Sequence, residues 1–102
     1  GNVSVTLNPN SQSVCPGGSL NFSAAANGQN GSVNYQWQYW NGSAWENLSN
    51  ATYAVSTFSG VNTPTLSVTN MDPNYNGLPL SCFVYDNCGN ATAARTATAT
   101  IT

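Results

Sequence analysis

The groups able to do chemistry in this chain are few enough to weigh individually. There are three carboxylates (Glu46, Asp72, Asp86), one cation (Arg95) and three cysteines (Cys15, Cys82, Cys88), with no histidine and no lysine. Hydrolysis by paired carboxylates requires two carboxyl groups within about 5–10 Å. Glu46 follows a hairpin signal, while Asp72 precedes and Asp86 ends a later strand-like run, so no pair forms. A cysteine nucleophile needs a base beside it, and histidine, the commonest acid–base residue, is missing. No His-x-His or Cys-x-x-Cys spacing exists, and the cysteine spacing does not suit zinc. The run Asp72-Pro73-Asn74-Tyr75-Asn76-Gly77 has the oxygen-rich start of a calcium loop. Its twelfth position is Phe83, where such a loop places a bidentate glutamate, so it reads as an Asx-rich turn. The residues therefore give no catalytic site, no metal site, no cofactor and no enzyme.

Charge removes further classes. A single arginine in a chain of net charge −2 cannot displace counterions from nucleic acid or dock on anionic lipid. No apolar run approaches the ~20 residues of a membrane-spanning helix, so direct membrane insertion is not expected. Charged residues are 4% of the chain, against about 25% in ordinary soluble proteins, so Asn, Ser, Thr and Gln must keep the surface wet. Seven Asn-x-Ser/Thr sequons, at Asn2, Asn21, Asn30, Asn41, Asn47, Asn50 and Asn90, would carry glycans only in a host that attaches them. Gly1 stands directly before a strand-like run with no leader pattern, which reads as a mature or excised segment.

Low charge does not mean disorder here, because aromatic and β-branched residues recur with period two. Val3, Val5 and Leu7 alternate with polar residues. Leu20, Phe22 and Ala24 do the same, and Val33, Tyr35, Trp37 and Tyr39 form one face of a longer strand. Asn41-Gly42 signals a hairpin, and a short strand follows from Trp45 to Leu48. Residues 49–63 are less regular, with an edge strand expected around Tyr53 and Val55. Leu66, Val68 and Met71 point inward; so do Leu80, Cys82 and Val84. The last strand is expected to turn Ala97, Ala99 and Ile101 inward and Thr96, Thr98, Thr100 and Thr102 outward. No helical period appears over ten residues. Eight or nine short strands with turns every 8–12 residues predict an all-β sandwich or barrel, one domain over residues 1–102.

Several of these segments carry a family resemblance. Asn34-Tyr35-Gln36-Trp37-Gln38 resembles the immunoglobulin strand that buries the core tryptophan, and Gly18-Ser19-Leu20-Asn21-Phe22 resembles the strand packed opposite. Val14-Cys15-Pro16-Gly17, Trp45, and Cys82 followed by Cys88-Gly89 extend the likeness over nearly the whole chain. Together they look like the Ig-like repeats of secreted and surface proteins of the Bacteroidetes and related bacteria. The resemblance implies an immunoglobulin-like two-sheet antiparallel β-sandwich. Ala24 stands where that fold usually has its second-strand cysteine, and Leu80 where it has a corner tyrosine. The core is then expected to rest on Trp37, Phe22, Cys82, Leu66 and Val68.

In that fold the strands of Trp37 and Cys82 are neighbours. Trp40, Phe83 and Tyr85 then share one outward face, bordered by Gln36, Gln38 and the last strand's threonines, which reads as a contact surface. Cys15, at the turn into the second strand, and Cys88, at a hairpin tip, fall near opposite ends. They are the disulfide candidates, bridging neighbouring units with Cys82 left as a buried thiol; an irregular first strand would instead bring them together within one chain. Three cysteines in a short chain also suggest an oxidising compartment. The expected function is a non-catalytic, secreted or cell-surface module of an adhesin, filament or array, with neighbouring copies or adjacent domains as partners. The alternative is a carbohydrate-binding module that stacks glycans on the aromatic face.

Overall fold

Alternating apolar and polar side chains can bury one face of a strand and leave the other wet, and this chain closes two such faces on each other. The computed structural model describes residues 2–53 and 55–102. Gly1, on which the reading of a mature or excised segment rests, lies outside the described residues. Among the described residues eleven strands run in order: β1 (Ser4–Leu7), β2 (Leu20–Ser23), β3 (Ala25–Asn27), β4 (Asn34–Trp40), β5 (Trp45–Asn47), β6 (Ala51–Tyr53), β7 (Ser56–Ser59), β8 (Thr65–Thr69), β9 (Pro79–Asp86), β10 (Gly89–Arg95) and β11 (Ala99–Thr100). One sheet has the order β10-β9-β4-β5 with β11 also on β9, and the other has the order β2-β8-β7-β6. β1 pairs with β3. The chain then crosses to the first sheet, where Gln12 bridges Ile101 in parallel.

The inner faces meet in one core. Phe22 of β2, Leu66 and Val68 of β8, and Phe58 of β7 come from one sheet; Trp37 of β4 and Leu80, Cys82 and Val84 of β9 come from the other. Trp37 and Cys82 sit directly opposite each other in register and are both 0% exposed. The Trp37 indole N–H donates to the Thr63 carbonyl at 2.8 Å, so its polar atom is satisfied inside the core. Ala24 is buried in the same cluster, and all three cysteines are free thiols.

Three stretches depart from the alternation. Within residues 49–63, Tyr53 lies on an edge strand, β6, as expected, but that strand pairs with a second, β7, and does not extend to Val55. Phe58 enters the core, with Tyr53 and Tyr75 edge-on to it at 5.4 and 5.9 Å, while Val55 is exposed in the turn. A lone aromatic among serines and threonines gives too little alternation to read from sequence. β1 carries an irregularity between Val5 and Leu7, which leaves Leu7 exposed. The last strand breaks between Arg95 and Ala99: Thr96 is buried and Ala97 exposed, the reverse of the expected sides. Thr96 replaces ladder bonds with its own, its hydroxyl accepting from the Cys82 N–H at 2.9 Å and its N–H donating to the Cys82 carbonyl at 3.0 Å.

Candidate functional site

Directly opposed residues in an antiparallel pair share a face, so register shows what stands on the outside of the β10-β9-β4-β5 sheet. Gln36 opposes Phe83 and Asn34 opposes Tyr85. Gln38 opposes Asn47, and Trp40 opposes Trp45. Arg95 opposes Phe83. Five sequence-selected residues, Trp40, Phe83, Tyr85, Gln36 and Gln38, therefore stand on one face with four others, Asn34, Trp45, Asn47 and Arg95. The last-strand threonines do not border the patch as a row, because Thr96 is buried.

The face has a definite internal arrangement. Phe83 and Tyr85 lie side by side, centroids 5.7 Å apart and planes 31° from parallel. The Arg95 guanidinium sits 4.7 Å from the Trp45 ring centroid and 5.7 Å from that of Phe83, within cation–π range of both. Packing against these rings lowers its pKa through desolvation, and an arginine remains charged throughout the physiological range. Arg95 Nη2 donates to Gln38 Oε1 at 2.6 Å, and Gln38 Nε2 donates to Asn47 Oδ1 at 2.6 Å. Gln38 thus holds both the cation and the amide in place. Between them opens a groove of about 350 Å³ bounded by Gln36, Asn47, Phe83, Tyr85, Asn90 and Arg95.

The sequence-selected residues play unequal parts. The Gln36 amide is used internally: Nε2 donates to the Trp37 and Leu48 carbonyls, and Oε1 accepts from Asn62. Trp40 is 37% exposed but lies at the hairpin end, edge-on to Trp45 at 5.6 Å, outside the groove lining. Trp45 was legible in principle, since it faces Trp40 across the Asn41-Gly42 hairpin. Arg95 was not, because the β9–β10 pairing shifts between Gly89 and Ala94 and a regular hairpin count puts Arg95 on the wrong face.

The carboxylates are dispersed. The Tyr39 hydroxyl donates to Glu46, which raises the tyrosine's pKa. Asp72 caps the short 3-10 turn Pro73–Tyr75, with Oδ1 accepting from the Asn74 N–H at 2.9 Å, the Asx turn that its sequence suggests. Asp86 ties two loops together. Oδ1 accepts from the Thr92 hydroxyl and the Cys88 N–H, and Oδ2 from the N–H groups of Gln29 and Asn30 and the Asn30 amide. These bonds, the Thr92 hydroxyl foremost, hold its pKa at about 2 against the opposing effect of burial. Among the described residues no three of His, Cys, Asp and Glu gather as metal ligands.

The exposed cysteines occupy opposite ends of the sandwich. Cys15 follows Val14, whose N–H donates to the Thr102 carbonyl, beyond the Pro79 end of β9. Cys88 follows the Asp86 end. The eight residues of β9 span roughly 25 Å, far beyond the ~4.4–6.8 Å Cα separation of a disulfide. Burial pushes the Cys82 thiol up to about 12, so it stays a protonated, unreactive member of the core.

No protein family and no curated protein matches the chain. Among solved structures, the crystal structure of Duf (Kirre) D1 superimposes with a TM-score of 0.68 over 98% of this chain and 94% of that one, at 15% sequence identity. The chain therefore has an all-β, immunoglobulin-like two-sheet fold; at that identity the likeness speaks for fold alone. Among the described residues no helix is long and apolar enough to cross a membrane.

Proposed function

We propose that this domain is a non-catalytic contact module of a secreted or surface-exposed protein, a unit of an adhesin, filament or array, and that it works through the outer face of the β10-β9-β4-β5 sheet. One observation carries the reading: that face holds four aromatic rings and the chain's only cation, of which Phe83, Tyr85 and Arg95 line an open groove, and none of the four rings is used in the hydrophobic core. Its resemblance to repeats of Bacteroidetes surface proteins and a surface of amides and hydroxyls in place of charge support an extracellular setting. Neighbouring copies and adjacent domains are the first partners to consider. A glycan is the second, favoured by the amide-edged groove beside the Phe83–Tyr85 ring pair.

The test pairs two double variants, Phe83→Ala with Tyr85→Ala and Thr57→Ala with Ser67→Ala, in sedimentation of the pure domain and on a glycan array. An interaction lost only in the aromatic variant supports the reading. An interaction equally strong in both places the contact surface elsewhere.

The same reading joins successive units at their ends. The Cys15 thiol of one unit and the Cys88 thiol of the next form a sulfur–sulfur bond, passing two electrons and two protons to a small-molecule disulfide that is reduced to two thiols. Non-reducing electrophoresis of the native assembly should show a ladder that collapses on reduction, with only Cys82 alkylated after denaturation. Monomers whose Cys15 and Cys88 both alkylate without reductant would rule the bridge out.

A further inference from the structure

We infer that the groove between Arg95 and the Phe83–Tyr85 pair binds a carboxylate-bearing sugar, a uronate unit of an acidic polysaccharide. This inference rests on the contact-face reading and adds the chemistry of the ligand.

Charge complementarity is the first argument. Arg95 is the only cation of the chain, and each carboxylate is engaged elsewhere: Glu46 with Tyr39, Asp72 in its turn, and Asp86 in its loops. The guanidinium gives one bond to Gln38. Its remaining N–H groups, and Nδ2 of Asn47, have no partner among the described residues. A planar guanidinium with a free edge matches a planar carboxylate through two parallel hydrogen bonds.

The second argument is pre-organisation. Trp45 and Phe83 flank the guanidinium and Gln38 fixes its position, so little side-chain freedom is left to lose on binding. The third is the shape and lining of the groove. Two adjacent rings offer an apolar platform for the C–H face of a sugar, and Asn47 and Asn90 offer both donors and acceptors to hydroxyl groups. The groove lies over β4 and β9, each already paired on both sides along the sheet. A peptide therefore cannot be recognised here by strand addition, which needs a free edge.

The experiment measures binding of polygalacturonate, of its fully methyl-esterified form, and of poly-glutamate by calorimetry at low and moderate salt. Asn47 and Asn90 are sequon positions, so the protein is made in a host without N-glycosylation. Wild type should bind polygalacturonate, weakly or not at all its ester, and more weakly at higher salt. Arg95→Gln should lose about ten- to a hundredfold in affinity, the scale of one charged hydrogen-bonded contact. Arg95→Lys should recover part of that loss, since it keeps the charge without the planar fork. Thermal melts confirm that each variant is folded; should Arg95→Gln prove unfolded, the ester comparison on wild type still decides.

Equal affinity for the acid and the ester, or unchanged affinity in Arg95→Gln, overturns the acidic assignment. Preference for poly-glutamate over polygalacturonate overturns the sugar assignment. Failure to bind any of the three overturns the inference. The contact-face reading fails separately, if interactions survive loss of Phe83 and Tyr85.

Discussion

The two sheets have the same kind of inside and different outsides. Both inner faces are apolar and meet in one core. On the β2-β8-β7-β6 sheet the outer face is a ladder of small polar side chains that satisfy one another. Ser67 donates to Asn21 at 2.7 Å, and Thr52 and Thr57 are bonded at 2.9 Å, as are Ser23 and Thr65 at 3.4 Å. On the β10-β9-β4-β5 sheet the outer face holds Trp40, Trp45, Phe83 and Tyr85 with Arg95. A face whose groups are mutually paired asks nothing of a partner. A face with large rings and an uncompensated cation gains from one. In a chain so poor in charge, the position of one arginine is enough to make the two faces different in chemistry.

Substitutions through the sheet and on its two outsides sharpen the contrast, beginning with the largest effect. Trp37→Ala removes the largest buried side chain and should destabilise the domain by about 3–5 kcal/mol, read from the shift in urea midpoint. A loss below about 1 kcal/mol would mean that the tryptophan does not hold the two sheets together.

Asp86→Asn should come next, since it weakens the bonds joining the β3–β4 loop to the β9–β10 hairpin beside the groove. The folded pKa is about 2, below the ~3.9 of an unfolded aspartate. The carboxylate's contribution is therefore complete above about pH 4 and disappears as pH falls through about 2. Melts of the wild type between pH 5 and pH 2 should show that decline, and Asp86→Asn should start lower and follow a flatter course. An unchanged slope in the variant would remove Asp86 as its origin.

Trp40→Ala should cost about 1 kcal/mol, the value of its edge-on contact with Trp45, because much of its ring already meets water. If it costs as much as Trp37→Ala, Trp40 is a packing residue and no part of a contact face. The smallest effect belongs to the opposite sheet. Ser67→Ala cuts an exposed bond to Asn21 and should change stability by no more than about 0.5 kcal/mol, with no change in any interaction of the domain. A lost interaction there would erase the distinction between the two faces.

Much of this arrangement is readable along the chain. Trp37 and Cys82 lie on the inner side of period-two runs, and the alternation alone places Trp40, Phe83 and Tyr85 on the other side of the same strands. Phe58 is hard to find because its strand is four residues long and otherwise Ser and Thr, so its burial shows only once Tyr53 and Tyr75 close around it. Gln36 reads as a surface amide, yet Asn62 and the Leu48 carbonyl, brought in from later in the chain, take up its hydrogen-bonding capacity.

The sequence by itself determined that the chain has no histidine, no lysine and a single arginine, because composition needs no geometry. It also determined that strands with one apolar face would close into an all-β sandwich or barrel, because period-two patterning is local. Which polar groups meet across strands was decided only by the tertiary structure. A shift in the β9–β10 pairing turns Arg95 to the outer face against Trp45 and Phe83, and the break after it turns Thr96 inward to Cys82. Side-chain direction reverses with each residue of register, and register is set by how two strands pair.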